Sequence, residues 1–274
     1  MTQSSFDELQ SLAYRTDLML LAFDSQITER DEFWVIRSPH NPRHYWGNFL
    51  LFKRPPRPED KPRWQRLFTE EIGRPPEVEH QVFGWDSAEG ELGEVQPFLA
   101  DGFRLEQVEV LAAEKVHPPR HYNHDVEVRP LSTYREWEQA RENQLLVRDP
   151  EHEARAHRAF LQGQLDRRRA MAGAGWGDWY GAFLDGELIA DLGIFGRREL
   201  GRYQSVQTHP AFRRRGIAGT LVYEAARHAK VTRGFERLVI VADRDSDAGR
   251  LYGSLGFSTV GRAAGLERWP GIAT

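Results

Sequence analysis

The sequence predicts an α/β chain built as two domains, each a mixed sheet flanked by helices. Three observations carry this. A β-branched strand ending near His209 passes through a basic turn into an amphipathic helix, whose apolar residues Ile217, Leu221, Ala225 and Ala229 recur every four positions. The unbroken apolar run 238–242 reads as a strand buried on both faces, with a short helix after it. Asp185-Gly186 between two apolar segments is a hairpin turn signal. A length of 274 residues is ample for two domains.

In chain order, residues 48–52 read as a strand, 64–72 as the helix after it and 80–85 as the next strand. Phe98 to Phe103 then mirrors the later Tyr252 to Phe257. The polar, proline-containing stretch 114–124 lacks periodicity and reads as a linker. Beyond it, 126–131 alternates like a strand, and helices are expected over 132–146 and 150–170, bounded by Ser132 and Pro150. The run Arg167-Arg168-Arg169 is read as a helix end, where the dipole favours cations. Hairpin strands at 178–185 and 187–196 lead to the strand that ends at His209. After 238–242, Asp245 or Ser246 is the expected N-cap of the last helix and Gly256 its stop. The expected boundaries are 1–115, a linker at 116–125, and 126–274.

Composition narrows the function classes. A formal charge of −4 provides no general field for nucleic acid or an anionic membrane. The absence of cysteine excludes disulfides, thiolate metal sites and a cysteine nucleophile. No segment approaches the ~18 apolar residues of a membrane span, and the first residues lack a signal-peptide pattern. The expectation is a cytoplasmic protein with no metal. His117, His121 and His124 have helical ligand spacing, but Pro118 and Pro119 break any helix there.

The chemistry concentrates in residues 206–219. A strand that enters a helix through a turn leaves the first helical N–H groups unpaired at the positive end of the dipole. Gly216 lets a ligand approach the main chain, so Arg213, Arg214, Arg215, Gly216, Ile217, Ala218 and Gly219 read as an anion cradle suited to a pyrophosphate. Arg214 and Arg215 are either solvated or within reach of a further phosphate.

Two signatures here resemble those of the GNAT superfamily of N-acetyltransferases. Arg213, Gly216 and Ala218 match its acyl-CoA motif Arg/Gln-x-x-Gly-x-Gly/Ala. Asp245, Ala248, Leu251, Tyr252, Leu255, Gly256 and Phe257 match its second signature, with Asp245 in place of asparagine. The resemblance implies two GNAT-like domains, each a mixed, largely antiparallel sheet flanked by helices. It also implies acetyl-CoA as co-substrate and transfer of the acetyl group to a primary amine of a small molecule or peptide by direct attack. The alternatives are an acyl-CoA-binding sensor without turnover, or a different acyl donor.

The resemblance nominates Tyr252 as the acid that protonates the leaving CoA thiolate. A main-chain N–H among Val206, Gln207 and Thr208 is expected to face the thioester carbonyl. Asp245 takes the signature's first position. No carboxylate stands on 204–208, which leaves the base unassigned, with Asp191 and Asp243 its nearest candidates. In the first half, Pro55, Pro56, Pro58 and Pro62 stand in the equivalent turn, and proline has no N–H to offer a phosphate. That half is read as a degenerate copy, either a stabilising platform or a wall of the acceptor pocket.

Overall fold

The computed structural model describes residues 5–147, 154–244 and 246–269. The chain folds into two compact units, one up to Val110 together with the residues from Gly261, the other Leu111–Val260. The first contains α1 (Leu12–Leu21), β1 (Gln26–Glu29), β2 (Phe33–Arg37), β3 (Phe49–Phe52), α2 (Asp60–Glu71), β4 (Gln81–Trp85) and α3 (Gln96–Leu99). It also holds most of β5 (Arg104–Ala113), whose residues from Leu111 already belong to the second unit. The second continues with β6 (Glu127–Pro130), α4 (Tyr134–Leu146), α5 (Ala154–Gly173), β7 (Gly177–Leu184), β8 (Glu187–Arg197), β9 (Leu200–Thr208), α6 (Ile217–Arg233), β10 (Arg237–Asp243) and α7 (Asp247–Ser254). The last strand, β11 (Ser258–Arg268), returns from Gly261 to the first unit.

The two units repeat one plan. In the first, β1, β2 and β3 pair antiparallel, then α2 carries the chain to β4, which lies parallel to β3. In the second, β7, β8 and β9 pair antiparallel, then α6 carries the chain to β10, parallel to β9. Each parallel pair needs a crossover, and a helix supplies it. The last strand of each copy enters the other unit: β11 pairs antiparallel with β4 from Gly265↔Gly84 to Arg268↔Gln81. The expected boundaries carried the second domain to residue 274, whereas this pairing holds 265–268 in the first unit. A strand's alternation fixes which face it buries but not which neighbour it takes.

Local signals account for the elements. Asp185 and Gly186 both have positive φ, the two-residue turn that matches strand twist. Thr133, one residue after Ser132, caps α4 through a reciprocal capping box with Glu136. Three bonds from Ser132, Thr133 and Arg129 hold the Glu136 carboxyl at about 2, overriding the burial that pushes it up. α5 runs four residues past Arg169, so the arginine run does not end the helix. Arg168 is instead buried, 5.7 Å from the Phe195 ring and bonded to Gln204. Pro150 lies outside the described residues.

Each unit has its own core. In the first, Phe52 and Trp64 stack at 3.7 Å beside Phe83, Trp85 and Phe98. In the second, Leu221, Val222, Ala225 and Ala229 of α6 pack on Ala190, Leu192 and Ile194 of β8. Helix stripe and strand face interlock because both keep the period the sequence shows.

Candidate functional site

Where β9 meets α6 the second unit opens a cleft of about 760 Å³. Val206, Gln207, Thr208, Arg213, Arg214, Gly216, Ile217, Ala218, Gly219 and Tyr252 line it, with Phe212, Ala248 and Leu251. Ten of the candidate site residues read from the sequence, and Ala248 and Leu251 of the second signature, therefore share one cavity of a size that suits a large ligand.

The cradle follows from its backbone. Gly216 is the N-cap of α6 at φ 75°, in the left-handed region, and contributes no side-chain cap. The first helical bond runs from the Thr220 N–H to the Gly216 carbonyl at 3.1 Å, so Ile217, Ala218 and Gly219 have no helical acceptor for their N–H groups. They point out of the positive end of a 17-residue helix. Arg213 folds back, its Nε donating to the Thr208 carbonyl at 3.3 Å. Arg215 lies outside this cleft and lines a second cavity beside it.

Strand β9 is deformed where it lines the cleft. Its register with β8 shifts between Asp191↔Gln207 and Gly193↔Gln204, setting Ser205 and Val206 against Leu192 alone. Ser205 adopts φ 47°, the signature of a bulge that re-aims the strand. The parallel pairing with β10 covers only Leu200 to Arg202 among the described residues, although β9 continues to Thr208. The N–H and C=O groups of the cleft-lining end are thereby released from that ladder. Gln207 Oε1 is buried there without a hydrogen-bond partner among the described residues.

Across the cleft, Ser246 caps α7 by accepting from the Gly249 N–H, which places Tyr252 on the lining. Tyr252 is 5% exposed, and burial raises its phenol to about 12, so it holds its proton at neutral pH. Its ring packs on Phe257 while its hydroxyl bonds to none of the described residues.

The carboxylate candidates are elsewhere. Asp191 is fully buried in β8 and receives Asn143 Nδ2 at 2.6 Å, Gln144 Nε2 at 2.9 Å and Trp179 Nε1 at 3.1 Å. Burial lifts it to about 7 against the pull of those three donors, and it does not line the cleft. Asp243 is an exposed strand end, also off the lining. Asp245 lies outside the described residues. The carboxylate on the lining among the described residues is Asp247, exposed and paired with Arg250. Sequence reasoning passed over it because it reads as an ordinary first-turn acid of α7. Trp179 is buried against Trp137 and bonded to Asp191.

The sequence reading missed how the segment after β5 is used. It docks on the cradle: His117 N–H donates to the Leu255 carbonyl at 2.7 Å, Asn123 N–H to Thr220 Oγ1 at 2.8 Å, and Asn123 Nδ2 to the Arg215 carbonyl at 2.9 Å. Its polar, aperiodic composition resembles any linker, so only the paired backbone reveals the role.

The first unit fills the equivalent place with its own acid. Asp60, at the start of α2, is 2% exposed and accepts from Arg54 through both oxygens, at 2.5 and 3.1 Å, and from the Arg57 N–H at 2.8 Å. Burial works to raise it, and these bonds outweigh that and hold it below the ordinary carboxylate value. Phe98 stands where Tyr252 stands. Phe103 N–H donates to the Phe98 carbonyl as Phe257 N–H does to that of Tyr252, and Gly102 and Gly256 both have positive φ.

Residues 180–264 match the family model described as FR47-like protein. A functionally unknown conserved protein from Staphylococcus epidermidis superposes with a TM-score of 0.70 at 15% identity, over 90% of this chain and 94% of that one. A GCN5-related N-acetyltransferase from Kribbella flavida gives 0.60 at 14% identity, over 95% and 96%. A tandem GNAT protein from the clavulanic acid biosynthesis pathway gives 0.54 at 12%, over 98% and 94%. No curated protein matches the sequence. Among the described residues, no helix is long and apolar enough to cross a membrane.

Proposed function

We propose that the chain, which shares the fold of the GNAT-type structures it superposes on, is a tandem member of the GNAT superfamily and that its second unit transfers an acetyl group from acetyl-CoA to a primary amine. One observation carries this reading: an uncapped helix N-terminus and a hydroxyl-bearing Tyr252 face each other across one cleft. The residues there fit the co-substrate. Ile217, Ala218 and Gly219 offer N–H donors to the pyrophosphate, and the released end of β9 offers main-chain donors to the thioester carbonyl.

Tyr252 donates its proton to the departing CoA sulfur. Gln207 Oε1 accepts an N–H of the amine and orients its lone pair. Attack is direct, since the chain has no cysteine to carry an acyl group. Neither Asp191 nor Asp243 lines the cleft, and Asp247, which does, is paired with Arg250, so the amine arrives neutral or loses its proton to solvent water. The amine belongs to a small molecule or a peptide, and the first unit binds no CoA because Pro55, Pro56, Pro58 and Pro62 leave its equivalent turn short of N–H donors, while Asp60 sets a carboxylate at the start of α2.

The test is CoA thiol release from acetyl-CoA over a panel of primary amines, with Tyr252→Phe beside the wild type. Turnover on at least one amine, reduced about tenfold or more in the variant, supports the reading. Tight acetyl-CoA binding with no transfer to any amine would replace it with an acyl-CoA sensor.

A further inference from the structure

Asp191 is a buried titratable group that the acyl-transfer chemistry above leaves without a task. It stands directly opposite Gln207 in the β8–β9 ladder. Residues opposed in an antiparallel ladder share one face of the sheet, with Cβ atoms about 4.5–5.5 Å apart. Gln207 lines the cradle cleft, so Asp191 lies one side chain behind that lining.

The polar groups around Asp191 are one donor short. Its carboxyl accepts from Asn143, Gln144 and Trp179. Beside it, Asn143 Oδ1 and Gln207 Oε1 are both buried with no donor among the described residues. An ionised carboxylate offers these two oxygens nothing, whereas a protonated one has an O–H to give. Burial holds the carboxyl at about 7, so that proton is gained and lost around neutral pH. The charged side chains on the elements packed around it are engaged elsewhere. Arg141 of α4 pairs with Glu138 and Glu142, and Asp178 of β7 pairs with Arg233 of α6. Arg168 of α5 bonds to Gln204 of β9, and Arg135 of α4 pairs with Glu187 of β8.

We propose that Asp191 is a positioning residue for acyl transfer that acts through Gln207. Protonated, it donates to Gln207 Oε1 and holds that carboxamide against β8, away from the amine. Ionised, it has no proton to donate, and Gln207 Oε1 is released to orient the amine. The proton passes between Asp191 and solvent, and the acceptor amine never exchanges with it. This role rests on the acyl-transfer reading above. It makes activity rise through neutral pH for a reason separate from deprotonation of the amine.

The experiment measures kcat/KM between about pH 6 and about pH 8 for an amine the chain acetylates, with wild type and Asp191→Asn side by side. Dividing one profile by the other cancels the titration of the amine itself. Asparagine keeps an N–H donor toward Gln207, as the protonated acid does. The variant should therefore match the wild type near pH 6 and fall about tenfold below it near pH 8. A ratio that stays constant with pH overturns the proposal, leaves acyl transfer standing, and makes Asp191 a purely structural anchor for α4. If no amine is acetylated at any pH, the acyl-transfer reading fails and this role with it. Gln207→Met repeats the test with Asp191 intact. It deletes the acceptor oxygen, so the ratio of wild type to this variant should show the same rise of about tenfold. A flat ratio there overturns the role even if Asp191→Asn does not fold.

Discussion

The carbonyl oxygen of His121 lies 2.2 Å from the point a Cβ on Gly216 would occupy. The glycine that opens the cradle is thus also what lets the preceding segment dock on it. Two independent demands meet at one residue, a left-handed backbone and a close main-chain contact. Gly216→Ala should therefore cost at least about 2 kcal/mol, measured by urea unfolding. Gly253→Ala is the control: it lies within α7 with open space around it and should stabilise by about 0.5–1 kcal/mol. Equal effects would refute the contact argument.

Tyr252→Phe keeps the ring packed on Phe257 and deletes only a hydroxyl that no described residue holds. The expected result is acetyl-CoA affinity within about twofold of wild type and a kcat lower by about tenfold or more. A fall in affinity with kcat intact would make the hydroxyl a binding group.

Asp191 gives stability a definite pH dependence. Burial holds its carboxyl at about 7, so the folded chain keeps this proton to a higher pH than the unfolded chain does. Between the two values the folded state binds more protons, and stability falls as pH rises from about 4 through about 7. Glu267, raised by burial and by the charge of Glu106, adds a slope of the same sign. The urea midpoint of Asp191→Asn should change less between pH 5 and pH 8 than that of the wild type, with both midpoints read in the same buffers. Parallel curves would show that Asp191 titrates as an ordinary carboxylate.

Asp60→Ala removes the acid that answers both Arg54 and the Arg57 N–H. With Arg54 a third exposed, the loss should be about 2 kcal/mol, below the cost of stranding a fully buried charge. Acetyl-CoA affinity should stay unchanged. A second acetyl-CoA binding event in this variant would show that Asp60 masks a competent cradle.

The legible parts of the fold were those governed by local chemistry. Asp185-Gly186 announces its turn, Ile217 to Ala229 its helix face, and Pro55 to Pro62 the missing donors of the first copy. The exchange of β5 and β11 was not legible, because alternation in 258–268 identifies a strand without its partner. Arg168 read as a helix-end charge, yet its guanidinium lies near Phe195 and meets Gln204 through tertiary packing. The environment of Asp191 was equally hidden. Its donors Asn143 and Gln144 come from α4, nearly fifty residues away, and no spacing rule links them. Of the site itself, the β9–α6 cradle and Tyr252 were visible as motifs, whereas the bulge at Ser205 and the docking of 116–125 depend on pairing that composition does not encode.

Titrating the purified chain with acetyl-CoA in a calorimeter and reading the stoichiometry tests the central claim most directly. The account predicts one site per chain, in the second unit. Two sites would contradict the silent first copy, and no heat at millimolar ligand would contradict the cradle itself.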